Sequence, residues 1–402
     1  MPEPHHPPRL AVALDAPGVP PRHDAAHYTA LARLAEHGTL DFVTLGDRFG
    51  GPGPDALAVL ARIAPDTERI GLVPTVTTTH TEPFHVSTAV ATLDWVSRGR
   101  AGWTVEVSTT EAEAALVGRP QVLGFARTGR DPHQVLGFAR TGRDPHPAAS
   151  PAEVWSEAGE VADVAGRLWD SWEDDAEIRD RATGRFVDRA KLHHVDFTGR
   201  AFSVRGPSIV PRPPQGRPVT VVDVTGETDG PDGGPAPSTG DLPRGGVPPR
   251  GGSRERGRSR ELGEGARREV AAAWADVALV RAEDPQTAGA ARTDLLARAR
   301  AHGRAPGGPL VLASLPVELE SSGDAAGLAD LLGDWFSQGV ADGFHLRLAD
   351  PARDLPRFVE GTVPLLRERG LLRRSYEGTT LREHLGLSRP ASIYALAREA
   401  AR

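Results

Sequence analysis

Hydroxyl side chains are concentrated directly after one apolar segment of the sequence. Four threonines lie between the apolar segment Ile70–Val73 and His80, namely Thr75, Thr77, Thr78 and Thr79. Because threonine hydroxyls donate and accept hydrogen bonds, the cluster can hold a polar ligand. The same residues also suit a plain β-strand, since threonine favours strands. His80 can act as an acid or base beside a substrate, or it can be an ordinary loop histidine.

A carboxylate occupies the equivalent place after the preceding apolar segment. Phe42–Leu45 runs into the loop sequence GDRFGGPGP, which contains Asp47. A carboxylate at the end of a buried strand can face a ligand, or it can cap the turn that follows. Both interpretations of Asp47 are open at this point.

Several classes of protein and site are excluded or disfavoured by composition. The chain of 402 residues has no cysteine, which rules out disulfides, thiolate metal sites and a catalytic cysteine. We find no metal-ligand spacing of His, Asp and Glu, and no Ser-His-Asp arrangement with a supporting motif. The formal net charge of −7 is spread along the chain, which argues against a nucleic-acid partner. The N-terminus, MPEPHHPPRL, resembles no signal peptide, and no segment approaches the ~18 apolar residues of a membrane span, so a cytoplasmic location without a membrane partner is expected.

Short apolar segments alternate with amphipathic ones along the chain. The predicted strands are Leu10–Leu14, Phe42–Leu45, Ile70–Val73, Ala101–Val107, Val219–Val224, Val277–Val280, Pro309–Ser314 and Gly343–Leu348. The predicted helices are Asp24–Glu36, Asp55–Ile63, Phe84–Val96, Pro151–Trp172, Ala266–Trp274, Thr293–Ala301, Asp324–Phe336 and Leu355–Arg369. Such alternation implies parallel strands joined by crossover helices. We therefore predict a single domain over residues 1–402 with an α/β fold, a (β/α)8 TIM-type barrel with insertions. A doubly wound open sheet is the alternative, which the absence of a G-x-G-x-x-G turn after the first strand weakens.

Three segments fall outside this alternation. Trp172–Pro214 is predicted to be an extended loop or a small β excursion. Thr225–Gly265 is low in complexity and rich in Gly, Pro, Arg and Ser, so it is predicted to be disordered. Residues 121–146 are a perfect tandem repeat of QVLGFARTGRDPH, placed between the fourth strand and the long helix. In a barrel, that position is a loop on the active face.

Long motifs in the middle and at the end of the chain resemble the bacterial luciferase-like flavin monooxygenases, in the branch of nitrilotriacetate and dibenzothiophene-sulfone monooxygenases. The motifs are Arg69–Ser108, Trp169–Asp188, His193–Val219, Asp334–Leu346 and Tyr376–Leu387. The resemblance implies a (β/α)8 barrel, in agreement with the alternation of elements.

The resemblance also implies a chemistry and its partners. A separate flavin reductase supplies reduced FMN, which reacts with oxygen so that one oxygen atom enters a small-molecule substrate. Other members of the superfamily use a deazaflavin and transfer hydride without oxygen, which is the first alternative. Relatives often form dimers, so a homodimer is possible.

Site residues follow from the resemblance by position. It implies flavin contacts for Asp47, Thr75 and Thr77, and it places Thr104 where relatives commonly carry asparagine. His80 stands where relatives usually carry tyrosine, and it is the candidate catalytic residue.

Two departures from the family pattern concern the flavin phosphate. Many relatives carry a His-x-x-x-Tyr pair at the start of the long helix, where this chain has Pro151 and Trp155. Relatives often hold the phosphate with a Gly-Ser-Ser turn after the fifth strand, where this chain has Thr225 and Gly226. Trp155 can stack, and Thr225–Gly226 can form an anion-binding turn. The same departures motivate a third alternative, a non-catalytic barrel that serves in binding or assembly.

The tandem repeat yields a prediction about stability. Loops absorb insertions at small cost, because the closure entropy grows slowly with loop length, and identical copies suit a recent duplication better than two distinct structural roles. A variant that lacks Gln134–His146 should therefore unfold at the same temperature as the parent and lose little activity. Thermal denaturation followed by circular dichroism measures this, and a large loss of stability would show that the repeat belongs to the core.

Overall fold

The predicted barrel is present. The computed structural model describes residues 7–117, 150–224, 252–304 and 308–400. The barrel strands are β1 (Arg9–Ala13), β2 (Phe42–Leu45), β3 (Gly71–Thr77), β4 (Gly102–Glu106), β9 (Val219–Asp223), β10 (Val277–Arg281), β11 (Leu310–Val317) and β12 (Gly343–Leu348). These eight parallel strands form a closed barrel in the order β1-β12-β11-β10-β9-β4-β3-β2.

Two of these strands continue past their predicted ends. β3 extends to Thr77 because Thr75–Thr77 pair with Thr104–Glu106 of β4. β11 extends to Val317 through its pairing with β12. In β3 the apolar run thus ends before the backbone ladder does, because threonines of the barrel mouth continue the strand, whereas β11 is lengthened by the apolar residues Leu315–Val317.

The predicted β excursion between the long helix and β9 consists of two small antiparallel hairpins. They are formed by β5 (Glu177–Asp180) with β6 (Arg185–Val187), and by β7 (Phe197–Thr198) with β8 (Ser203–Val204).

Helices pack around the barrel in the order that the sequence indicates. The α-helices of the described residues are α1 (Ala25–His37), α2 (Ala56–Ile63), α3 (Pro83–Val96), α4 (Glu111–Leu116), α5 (Pro151–Asp170), α6 (Gly252–Trp274), α7 (Pro285–Ala301), α8 (Ser322–Ser337), α9 (Pro351–Arg357), α10 (Val363–Glu368), α11 (Leu381–His384) and α12 (Ile393–Ala400). Asp24, a residue type that favours helix N-caps and the first residue of the predicted helix, caps α1, because its carboxylate accepts a hydrogen bond from the Ala26 amide at 3.0 Å. Within the described part of the chain, every helix is too short or too polar to cross a lipid bilayer.

Two predictions about helices need correction. α6 begins at Gly252, so residues 252–265 of the segment predicted to be disordered are helical, while residues 225–251 lie outside the described residues, as does the repeat at 121–146. The low-complexity composition hid a helix that continues from the buried stretch at its C-terminal end. The last large helix is interrupted by a π-helical turn, Phe358–Thr362, between α9 and α10. Pro364 explains the interruption, because it has no amide hydrogen to continue the α-helical pattern.

The end of the barrel that lies at the strand N-termini is closed by the C-terminal part of the chain. Leu381 and Leu385 of the α11 region are fully buried against the barrel interior. Arg382, between them, binds the carboxylate of Asp276 at 2.8 Å. The loop before β9 adds a buried bond in which the Gln215 side-chain amide donates to Asp94 at 2.6 Å. Burial raises the pKa of Asp94 to about 6, although the bonds from Gln215 oppose the shift.

A single glycine allows β12 to lie against β1. Gly343 pairs with Arg9, and a Cβ atom on Gly343 would overlap the backbone carbonyl oxygen of Arg9. The backbones of the two strands must separate to admit any side chain there.

Gly343→Ala is therefore expected to lower the free energy of unfolding by about 1–3 kcal/mol or more, as overpacking of a core does. Gly327→Ala, in the exposed middle of α8 where an added methyl group would have nothing within 4 Å, is the matched control and should stabilise by about 0.5–1 kcal/mol. Urea denaturation of both variants measures the two effects, and equal stabilities would contradict the close approach.

Candidate active site

The interior of the barrel has an apolar layer at the strand N-termini. In a strand, every second side chain points to the same face. The inward-facing apolar side chains pack with Leu381 and Leu385 in one buried cluster, which comprises Ala11, Phe42, Val73, Val219, Val221, Val277, Leu279 and Leu312. This layer is the floor of the barrel.

Two residues further along, β1 has Ala13, whereas on the other seven of the eight strands the inward-facing positions become polar. They are occupied by Thr44, Thr75, Thr104, Asp223, Arg281, Ser314 and His345, and on the longer strands also by Thr77, Glu106 and Arg347. The strands are parallel, so these side chains meet at the C-terminal mouth of the barrel, where TIM-barrel enzymes carry their active sites.

His345 lies at the centre of the polar layer. Its Nε2 is 2.9 Å from the Thr44 hydroxyl, and its Nδ1 is 2.9 Å from the Ser314 hydroxyl. The residue is buried, and that burial lowers the pKa of the imidazole to about 4. The ring is therefore neutral at pH 7, with one nitrogen donating a hydrogen bond and the other accepting one.

Charged pairs complete the layer. Arg281 and Asp223, at the ends of neighbouring strands, approach to 3.6 Å. Glu106 accepts a hydrogen bond from the guanidinium Nη2 of Arg267 at 3.0 Å and another from the Val107 amide at 2.9 Å. The pKa of Glu106 is raised, chiefly because its surroundings desolvate the carboxylate and secondarily through repulsion by Asp223, while Arg267 opposes the shift.

Arg267 connects this layer to the surrounding helices. It lies on α6, and its guanidinium carbon is 4.4 Å from the ring centroid of Trp155 on α5. Both residues are buried, with 4% and 2% of their surfaces exposed. The arginine therefore covers one face of the indole, which limits stacking of any other group to the remaining surface of Trp155.

The threonine run divides into two functions. Thr75 and Thr77 are inward-facing and half-buried, and they lie beside Thr104 and Glu106 of the adjacent strand. Thr78 and Thr79 are buried and hold the chain together: the Thr78 hydroxyl donates to the Glu106 carbonyl, and the Thr79 hydroxyl accepts from the Ser108 amide, each at 3.0 Å. The structure thus brings Thr75, Thr77 and Thr104 to the mouth.

Asp47 and His80 are in loops above the same mouth. Asp47 accepts a hydrogen bond from the Ala56 amide at 3.0 Å, so it binds the first amide of α2, whose N-cap is Asp55. Burial raises the pKa of Asp47, and that bond opposes the shift. His80 adopts a left-handed backbone with φ of 65°, and its ring centroid is 6.4 Å from that of Phe49. Thr225 and Gly226, the predicted phosphate turn, lie outside the described residues and stay a prediction.

Sequence reasoning did not select His345, Asp223, Arg281 and Arg347 as site residues. Their signal was present in the strand sequences VALVR and GFHLRL, in which a polar residue stands two positions beyond an inward-facing residue. This signal cannot be used until it is known which residues of each strand face the barrel interior, because a single polar residue in an apolar strand does not reveal which face it occupies.

The fold and the site define a TIM-barrel protein with a polar mouth, and comparison with known proteins gives its family. The profile described as luciferase-like monooxygenase matches residues 6–227. The chain is 28% identical to N-acetyl-S-(2-succino)cysteine monooxygenase of Bacillus subtilis, covering 92% of this chain and 91% of that protein. It is 29% identical to nitrilotriacetate monooxygenase component A of Aminobacter aminovorans, covering 92% of each chain. The structure of the EDTA monooxygenase of Chelativorans sp. BNC1 superposes with a TM-score of 0.69 at 19% identity, over 96% of this chain and 99% of that one.

The chain belongs to the luciferase-like monooxygenase family. This confirms the resemblance indicated by the sequence motifs, and it makes the protein an oxidoreductase of a flavin-using family.

The buried imidazole yields a prediction about pH. His345 has an ordinary pKa of 6.5 and a pKa of about 4 in the fold. Between these values the unfolded chain binds more protons, so the stability associated with neutral His345 is lost as the pH falls from about 6.5 to about 4. Because one pKa unit corresponds to about 1.4 kcal/mol, the loss is at most about 3 kcal/mol.

His345→Gln removes this titration and keeps one amide donor and one acceptor. We therefore expect the stability difference between parent and variant to shrink as the pH is lowered through that window. Urea denaturation at several pH values measures this. The lowered pKa of His384 is common to both proteins and cancels in the comparison. Parallel stability profiles would contradict the buried, neutral state of His345.

Proposed function

We propose that the protein is a flavin-dependent monooxygenase that uses reduced FMN and molecular oxygen to oxygenate a small organic substrate. A separate flavin reductase would supply the reduced FMN. The observation that carries the proposal is that the family match spans residues 6–227, which contain the mouth residues Thr75, Thr77, Thr104, Glu106 and Asp223.

The chemistry of the described mouth fits a flavin. The polar edge of an isoalloxazine ring presents carbonyl oxygens and ring nitrogens, which need both donors and acceptors. Thr75 and Thr104 are paired residues on adjacent strands, so their hydroxyls offer both kinds of group side by side. Arg267 adds buried cationic N–H groups at the wall. Hydroxyls above a dry floor therefore suit a planar ring whose one edge is polar.

Each part of the mouth has a task in this proposal. When bound, reduced flavin supplies the electrons for oxygen activation. Thr75, Thr77 and Thr104 orient the ring by hydrogen bonds, and the apolar floor excludes water from beneath it. Asp47 keeps its hydrogen bond to the first amide of α2 and contributes its charge from the rim. Thr225 and Gly226 are proposed to contact the phosphate, Trp155 contributes to the cofactor wall, and His80 is proposed as an acid or base beside the substrate.

The substrates after which the two relatives are named suggest the kind of substrate. Nitrilotriacetate and N-acetyl-S-(2-succino)cysteine are both small molecules with several carboxylates. We propose a small organic acid for this chain as well, and arginines at the mouth suit such a molecule electrostatically.

Hydroxyl-deleting variants test the proposed flavin contacts. Thr75→Val and Thr104→Val keep the side-chain shape and remove one hydroxyl each. Since a hydrogen bond contributes about 0.5–1.5 kcal/mol, each variant should bind reduced FMN roughly 2- to 10-fold more weakly. Anaerobic equilibrium titration of the apoprotein measures the affinity, and Thr198→Val, an exposed threonine of β7 outside the barrel, is the matched control.

The complete reaction is tested with a flavin reductase, FMN and labelled oxygen, with nitrilotriacetate as the first substrate probe. Incorporation of one labelled oxygen atom into product supports the proposal. Absence of saturable binding of reduced FMN by the parent protein would refute it.

A further inference from the structure

Arg267 is held in one orientation by two contacts. Its guanidinium lies over the Trp155 ring, and its Nη2 donates to Glu106 at the end of β4. α5 and α6 bring these residues together because the N-terminal half of α5 packs against the middle and C-terminal half of α6: a Cβ on Gly263 would lie 2.7 Å from the Pro151 Cβ, and one on Gly159 would lie 3.3 Å from Val270. Stacking fixes the plane of the guanidinium, and the ion pair fixes its rotation within that plane.

The hydrogen-bonding capacity of this buried group is only partly used within the described residues. Nε and Nη1 of Arg267 are inaccessible to solvent and have no hydrogen-bond partner among the described residues. An unsatisfied buried donor costs about 1–3 kcal/mol, and more when it carries charge, so such groups are rare in folded proteins. A guanidinium that is fixed in place with unsatisfied donors on two nitrogens is prepared to donate hydrogen bonds to anionic oxygen atoms.

The neighbouring charges leave room for an anion. In the inward-facing layer that the structure describes, the cations are Arg281 and Arg347 and the anions are Glu106 and Asp223, and Arg267 adds a positive charge from α6. Three positive groups thus face two negative ones. Arg48 adds a further positive charge close enough to act on Glu106. The rim carboxylates Asp15 and Asp47 each accept a hydrogen bond from a backbone amide, of Gly46 and Ala56 respectively.

We propose that Arg267 is an oxyanion anchor at the wall of the barrel mouth, which binds a phosphate or carboxylate group of the molecule held there. Trp155 and Glu106 are the positioning residues that orient it. The ligand group is either the phosphate of FMN or a carboxylate of the substrate, which share this chemistry. This inference rests on the proposed function for the identity of the molecules, and on the geometry of Arg267 for the anion.

Binding measurements on the apoprotein test the anchor without turnover. Arg267→Gln removes the charge and the fork, and Arg267→Lys keeps the charge alone. The probes are FMN, riboflavin, inorganic phosphate and nitrilotriacetate, each titrated by calorimetry. Since a hydrogen bond to a charged group contributes about 1.5–3 kcal/mol, we expect Arg267→Gln to weaken binding of the anchored anion about 10-fold or more, with Arg267→Lys intermediate. Arg292→Lys is the matched control, because Arg292 pairs with Asp342 at 2.9 Å at the opposite end of the barrel and its Nε is likewise buried without a partner among the described residues.

The probes separate the two sources of the anion. If Arg267 binds the cofactor phosphate, Arg267→Gln reduces the affinity for FMN towards that for riboflavin and leaves riboflavin binding unchanged. If it binds a substrate carboxylate, the difference between FMN and riboflavin persists and nitrilotriacetate binding is lost. Either result supports the anchor.

A folded Arg267→Gln protein with unchanged affinity for FMN, phosphate and nitrilotriacetate overturns the inference. Should that variant not fold, the parent protein decides, because a ligand that binds only the native state raises the unfolding temperature. If phosphate or nitrilotriacetate raises the unfolding temperature of the parent and of Arg292→Lys but raises that of Arg267→Lys less, the result supports the anchor. If neither ligand raises the unfolding temperature of the parent, the result overturns the anchor. Failure of the parent to bind riboflavin would count against the proposed function alone.

Discussion

The site depends on one constraint, the two-residue alternation of side chains in a closed parallel barrel. Closure leaves no free sheet edge and gives every strand one inward face. An inward residue near the strand N-terminus must be apolar, because it is sealed below by Leu381 and Leu385. The next inward residue on the same strand lies nearer to the solvent, where polar groups can be satisfied. A dry floor and a polar mouth are thus consequences of the same geometry.

Several buried polar groups inside the barrel are stabilised by a partner from another strand or helix. Both ring nitrogens of His345 on β12 form hydrogen bonds with hydroxyls, one from the adjacent strand β11 and one from β2, which lies beyond β1. Glu106 is satisfied by Arg267, which reaches the mouth from α6. Breaking such a pair leaves a buried polar group unpaired, so the mouth is ordered by the same bonds that make its burial tolerable. Arg267 differs from His345 and Glu106, since its Nε and Nη1 have no hydrogen-bond partner among the described residues.

One wall of the mouth joins side chains from three elements. The long helix α5 carries Trp155, and Arg267 of α6 covers that indole. A bulky aromatic and a cation thus lie together at this wall. Because Arg267 also binds Glu106 of β4, the three side chains form one connected group.

The sequence by itself determined the elements and their order. Each predicted strand is present, the β excursion and the cap at Asp24 are present, and the motifs identify the family, because apolar periodicity and local capping depend on neighbouring residues alone. It also located the mouth side of β3, at Thr75 and Thr77. It did not reveal the start of α6 at Gly252, since the sequence of residues 252–265 carries almost no apolar side chains and so no helical apolar period. Only the tertiary structure decided that Thr78 and Thr79 bond to backbone groups of the neighbouring segment and that Asp47 binds the first amide of α2. The same holds for the partners of His345 and Arg267, which come from elements as far as 301 residues away in sequence. Those outcomes depend on the phase and register of strands that are distant in the chain, and the closed barrel sets both.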